Sequence, residues 1–196
     1  MPYDKNFYKL YKNYLEEPAV RRNHDYVFEC FKNLTGELGL SVVDLGCGMG
    51  EYQTYGGTHE NYVGVDLNNT GKIRNFVSAD YHKLNFAKKL PFKPNVFVSL
   101  FSIECCNSAK EKYALYNKIF KTLPSIRYGL VGGFFYESKR NLETVEEAGK
   151  IISYQTIEDS SCYISQLFSE FRLHIRTPSV MFGQDVIEVW KFFIRI

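Results

Sequence analysis

The run Val42-Val43-Asp44-Leu45-Gly46-Cys47-Gly48-Met49-Gly50 carries the strongest chemical signal in this chain. β-Branched residues lead into an acid, and three glycines follow at every second position. Such a run ends a buried strand and turns with its backbone bare, because glycine lacks the Cβ that would keep a ligand off the main chain. The pattern recurs in miniature at Tyr62-Val63-Gly64-Val65-Asp66, a second short apolar strand closing on a carboxylate. An acid about 20 residues past the glycine loop of a βαβ unit is placed to accept hydrogen bonds from a ribose.

The spacing Gly46-x-Gly48-x-Gly50 differs from the dinucleotide fingerprint G-x-G-x-x-G, whose third glycine would fall on Glu51. A pyrophosphate would also meet the carboxylates of Asp44 and Glu51, whereas a ligand bearing a sulfonium and an ammonium would not be repelled. These residues resemble motif I and the following acidic position of class I S-adenosylmethionine (SAM)-dependent methyltransferases. The resemblance covers roughly residues 40–196 and leaves residues 1–39 as an N-terminal helical extension or lid. It implies an α/β, Rossmann-like, mostly parallel seven-stranded sheet in the order 3-2-1-4-5-7-6, with helices on both faces. It also implies SAM as cofactor and S-adenosylhomocysteine (SAH) as product.

Carried over by the same resemblance, Gly46, Cys47 and Gly48 lie under the methionine part of the cofactor, and Asp44 helps hold its amino end. Asp66, with Leu67 beside it, meets the ribose, and Asp80 and Tyr81 face the adenine. Phe101 stands at the fourth strand end, where cofactor and acceptor meet. Methyl transfer needs alignment and desolvation more than a fixed catalytic side chain. A base is required only where the acceptor must lose a proton, and Glu104 is the candidate for it, ahead of His24 and His82. Tyr11, within an aromatic N-terminal segment, and the pair Arg21-Arg22 are the candidates for a lid and for an anion contact.

The elements that must position these residues follow from periodicity. Residues 5–16 predict a helix with a broad aromatic face, and residues 19–33 a second one after Pro18. Strands are expected at 41–45, 62–66, 75–79, 95–101 and 128–136, and a helix at 109–123. The stretch 51–61 is too short and polar for the full helix that usually follows motif I. Thr144-x-x-Glu147 reads as a capping box, with a helix near 160–171 and two final strands at 172–177 and 186–194 that run antiparallel to each other. Strands alternating with helices predict a mostly parallel sheet.

Composition narrows the function. With 196 residues and 45% hydrophobic content, the chain can close one sizeable core. A net charge of +2 without a basic block gives no indication of nucleic acid. The five cysteines lack zinc-like spacing and the four histidines are scattered, so no metal is expected. An odd cysteine count predicts reduced thiols and a cytoplasmic setting, and no apolar run is long enough for a bilayer. No Pro-Gly-Gly turn precedes the fifth strand. Ser102-Ile103-Glu104-Cys105 stands where base-methylating relatives carry Asn-Pro-Pro-Tyr or Pro-Cys segments. A small-molecule acceptor is therefore favoured, over a non-catalytic SAM-binding partner domain or a protein or RNA methyltransferase.

Overall fold

The computed structural model describes residues 5–36, 39–56, 61–103, 109–136, 144–147, 150–153, 170–179 and 183–194. Helices α1 (Lys5–Glu16) and α2 (Pro18–Thr35) come first, separated at Glu17, with Pro18 opening α2. Proline is suited to a first helical turn, where its missing N–H has no partner to lose. Strand β1 (Ser41–Leu45) leads through the glycine loop into the five-residue α3 (Glu51–Tyr55). Strands β2 (Asn61–Asp66) and β3 (Phe76–Ser78), two 3-10 turns (Tyr81–Lys83 and Asn85–Lys89), β4 (Val96–Leu100), α4 (Ala109–Thr122) and β5 (Tyr128–Tyr136) follow. A separate antiparallel hairpin, β6 (Thr144–Glu147) and β7 (Lys150–Ser153), precedes β8 (Glu170–Ser179) and β9 (Gly183–Ile194).

The strands hydrogen-bond in the order β3-β2-β1-β4-β5-β9-β8. The first five are parallel to their neighbours, and β9 runs antiparallel to both β5 and β8. Alternation of side chains across the pleat divides the interior in two. Val42 and Val98 face a core shared with Tyr11, Tyr14, Val27, Phe28, Phe31, Tyr52, Trp190 and Phe192. Val43, Leu45 and Phe97 face the other side, against Leu115, Tyr116, Ile119 and Phe120 of α4. Helices thus cover both faces, which is why β1 and β4 are apolar almost throughout.

Two expectations are corrected. Thr144–Glu147 is a strand, not a helix start; Val145 pairs with Ile152 and Glu146 with Ile151 in the hairpin. β-Branched residues on both partners outweigh a four-residue capping signal. The end of the helix expected at 160–171 is strand as well, since Glu170 and Phe171 belong to β8 and pair with Ile194 and Phe193. The remainder of that segment lies outside the described residues, as do Cys105, Cys106 and Cys162.

Candidate functional site

Strand order reverses direction of travel between β1 and β4, the two strands that open the crevice at their C-terminal ends, and this is where an open parallel sheet binds ligands. The loop after β1 is pinned there. Gly46 N–H donates to Val65 O at 2.8 Å, and Gly48 N–H donates to Asp66 Oδ2 at 3.0 Å. Asp66 Oδ1 accepts the Leu67 amide at 2.6 Å. The carboxylate that ends β2 therefore braces the loop that leaves β1.

Gly46 and Gly48 differ in what surrounds them. A Cβ on Gly46 would stand 1.9 Å from Ser102 Oγ and 2.4 Å from its Cβ, so this glycine serves a close approach of the β4 exit to the loop. A Cβ on Gly48 would meet only Gly46 O, at 3.8 Å, among the described residues. Its φ of 43° is left-handed, which excludes most side chains for backbone reasons alone. Gly48 is the bare surface expected of a ligand cradle, whereas substitution of Gly46 would disturb packing rather than report a ligand.

Asp44 is 1% exposed, and its Oδ2 accepts the Tyr62 hydroxyl at 2.9 Å. Its Oδ1 has no hydrogen-bond partner among the described residues. Burial, reinforced by Asp66 and opposed by Tyr62, pushes this carboxyl up to about 7. Cys47 is buried, its sulfur facing Gly64, and burial raises its thiol, so only its backbone is available to a ligand. Leu67 is half exposed beyond β2. Asp80 caps the first 3-10 turn through His82 N–H at 3.0 Å and lies 3.7 Å from Lys83 Nζ. Tyr81 stacks on His82, and its hydroxyl lies 2.7 Å from Ser102 Oγ. Phe101 adopts φ 53° while its N–H continues the ladder to Gly132 O at 2.8 Å, a strained residue at the mouth of β4.

Tyr11 is buried against Tyr14 and edge-on to Phe101, while Arg21 and Arg22 are exposed on α2. Glu104 lies outside the described residues.

A buried chain of polar groups went unread in the sequence. Tyr11 donates to Glu51 Oε2. Glu51 Oε1 faces His24 Nδ1 at 3.7 Å, and His24 Nε2 faces Glu188 Oε2 at 3.5 Å. Glu188 Oε2 also accepts Trp190 Nε1 at 3.1 Å and Asn23 Nδ2 at 3.2 Å. Burial raises Glu51 and Glu188 each to about 8 and lowers His24 to about 4. At neutral pH the imidazole is neutral, with Tyr55, Phe101 and Trp190 around it. Both its nitrogens face carboxyl groups, and the ring is fully enclosed. The available signal was Glu188 in phase with Trp190 and Phe192 on one face of a strand that had to be buried.

Among the described residues no cluster of His, Cys, Asp or Glu could hold a metal ion, and no helix is long and apolar enough to cross a membrane. No protein-family model matches the chain, and no curated protein matches it in sequence. Solved structures do match its fold. Magnesium protoporphyrin IX methyltransferase (ChlM) from Synechocystis PCC 6803 with bound SAH superposes at a TM-score of 0.64 and 13% identity, over 98% of this chain and 95% of that one. The N-methyltransferase NodS from Bradyrhizobium japonicum WM9, in complex with SAH, gives 0.63 and 9%, over 97% and 99%. The N-terminal domain of EvdMO1 with SAH bound gives 0.61 and 12%, over 88% and 81%. The chain has the fold of the class I SAM-dependent methyltransferases.

Proposed function

We propose that this chain binds SAM along Gly46–Gly50 and transfers its methyl group to a small-molecule acceptor. The observation that carries this reading is Gly48, bare and left-handed, open where a side chain would stand, and tied to Asp66 at the β1/β4 crevice. The residues fit the cofactor. Asp44 Oδ1 is a buried acceptor without a partner among the described residues, suited to the ammonium of the methionine part. Asp66 keeps lone pairs beyond the two amides it accepts, and these would take the ribose hydroxyls. Leu67, Asp80 and Tyr81 would flank the adenine, and the Cys47 backbone and Phe101 would border the methionine and methyl end.

When bound, SAM supplies a methyl group made electrophilic by its positively charged sulfur. The chain's own contribution is alignment on the glycine loop and exclusion of water by Tyr11, Tyr14 and Phe101. Glu104 is proposed to take a proton where the acceptor must lose one, and Arg21 and Arg22 to meet an anionic group of SAM or of the acceptor. The neighbours' names, a porphyrin methyltransferase and an N-methyltransferase among them, favour enzymatic methyl transfer without selecting an acceptor. Calorimetry with SAM and SAH tests the binding, and transfer of a labelled methyl group to a panel of small molecules, peptides and RNA tests the reaction. Absence of SAH binding by the folded chain would overturn the reading.

A second reading is a SAM-binding domain without turnover. It is favoured by α3 ending after five residues and by the loop that replaces a helix between β2 and β3. SAH binding with no transfer to any acceptor class would select it.

A further inference from the structure

Two buried carboxyls bracket the glycine loop. Asp44 precedes it at 1% exposure and Glu51 follows it at 6%. Each has one oxygen satisfied by a tyrosine hydroxyl, Tyr62 on Asp44 and Tyr11 on Glu51. Each has a second oxygen, Asp44 Oδ1 and Glu51 Oε1, with no hydrogen-bond partner among the described residues. Facing Asp44 are Tyr62 and Asp66 from β2, Cys47 from the loop and Tyr52 from α3. Facing Glu51 are Tyr11 from α1, His24 from α2, Asp44 from β1 and Tyr55 from α3. Beyond His24 stands Glu188 of β9. The groups named are all acids or phenols apart from a thiol and one imidazole, and that imidazole is neutral at physiological pH.

Like charges buried in one site cannot all ionise, because burial weakens their hydration and each anion raises the cost of the next, as Asp44 does for Glu51. Protons or a cation must neutralise them. We infer that ligand binding at this loop is an exchange of a cation for a proton: the empty site holds a proton on the Asp44–Glu51 pair, and a ligand that brings an ammonium group to the loop displaces it to solvent. This rests on the SAM reading and deepens it. Burial holds Asp44 up to about 7 and Glu51 up to about 8, so at pH 6.5 both carboxyls hold most of their protons, and the ammonium displaces the one on the carboxyl it reaches, Asp44. No covalent bond changes; a carboxyl O–H ionises, and the ligand's positive charge takes the place of the proton. Affinity therefore rises with pH below the titration of the carboxyls, by up to about tenfold per pH unit for one proton, and falls again once the ligand amine itself deprotonates.

The test is calorimetric titration of the full chain with SAH at pH 6.5, in phosphate and in imidazole buffer. This lies below the ordinary α-amino range of about 7.7–8.0, so the ligand ammonium is charged throughout. The expected result is a buffer-dependent heat equal to release of about half to one proton per SAH, turning to net proton uptake at pH 9, where the carboxyls are ionised and the ligand amine must gain a proton to bind as a cation. 5′-Methylthioadenosine, which keeps the nucleoside and lacks the ammonium, should bind without release. Asp44→Asn keeps an oxygen for Tyr62 and removes the carboxyl that the ammonium would meet, so it should reduce the release by at least about half while flattening the pH dependence of affinity. SAH binding with the same heat in both buffers would overturn the exchange and leave the SAM reading standing. Equal release by methylthioadenosine, or undiminished release in Asp44→Asn, would overturn the assignment to these carboxyls. A folded chain that binds no SAH at any pH would overturn both.

Discussion

Asp66 accepts the Gly48 amide at 3.0 Å, so the acid at the end of β2 and the bare residue of the β1 loop form one unit. A ligand lying on Gly48 with its ribose toward Asp66 would draw on both members. Charge-assisted hydrogen bonds contribute about 1.5–3 kcal/mol each, and a tenfold affinity change corresponds to about 1.4 kcal/mol. Asp66→Ala is expected to weaken SAH binding at least about tenfold. Because the same carboxylate braces the loop, an analogue lacking both ribose hydroxyls should lose affinity too, but less. Calorimetry on the two ligands separates ribose recognition from loop support. Equal losses would assign Asp66 to the brace alone.

The two glycines of the loop should fail in different ways. Gly46→Ala drives a methyl into Ser102 at 1.9 Å in a residue already at φ 71°. Overpacking of that kind costs about 1–3 kcal/mol, and in a chain of this size each kcal/mol lowers the melting temperature by about 2–4 °C. Ser102→Gly should restore part of the loss in the double variant. The Cβ of Gly48→Val would meet, among the described residues, Gly46 O at 3.8 Å and nothing nearer. It is expected to remain folded, at a left-handed backbone cost of about 1–2 kcal/mol, and to lose SAH binding. Thermal melting beside calorimetry distinguishes the two outcomes, and intact SAH affinity in folded Gly48→Val would sink the cradle.

The buried acids set a direction for stability against pH. Glu51, Glu188 and Asp44 are raised in the folded chain to about 8, 8 and 7, so between their unfolded values near 4 and those limits the folded state holds more protons than the unfolded. Their contribution is complete at low pH and is lost as pH rises through 7 and 8. His24, lowered to about 4, acts oppositely and only between about 4 and 6.5, where the unfolded chain holds the extra proton. Above pH 6.5 the acids act alone. The melting temperature is expected to fall from pH 6.5 to 8.5, and Glu188→Gln should flatten that fall. A melting temperature that rises over this range would contradict the assignment of protons to these groups.

How much of this was legible follows from where the information lies. Val42–Gly50 and Tyr62–Asp66 are local patterns, with strand, acid and turn contiguous, and they showed the loop, β1 and β2 and the lack of a full helix after the loop. Tyr128–Tyr136 and Lys5–Glu16 emerged with their bounds because apolar periodicity is local as well. The His24 chain was not legible, because its members, Tyr11, His24, Glu51 and Glu188, meet only after four elements pack. Single histidines and glutamates read as surface when taken one at a time. Gly71 was missed for the same reason: its amide reaches Gly48 O at 3.1 Å, and a Cβ there would lie 2.5 Å from the Met49 carbonyl. The hairpin β6–β7 was misread because a capping box is a short signal that β-branched pairing overrides.

Tyr11 links the N-terminal helices to the loop, and its hydroxyl can be removed without removing its ring. The ring is buried in the core that contains Tyr14, Phe28 and Trp190, while the hydroxyl satisfies one oxygen of the enclosed Glu51. Tyr11→Phe leaves that oxygen without its donor, a loss of about 1–3 kcal/mol, and the melting temperature should drop by about 2–4 °C for each kcal/mol. In Glu51→Leu the acceptor is gone, so adding Tyr11→Phe should cost much less; a double-mutant cycle measures the difference. Removing residues 1–17 removes the ring as well and uncovers the core around His24, so the truncated chain should melt far lower than Tyr11→Phe. A segment that acted only as a movable lid would give the opposite pattern: unchanged melting on truncation, with hydrogen exchange in α1 slowed by SAH. Exchange protection in α1 that is already high without ligand, together with the large loss on truncation, would establish α1 as part of the wall of the site.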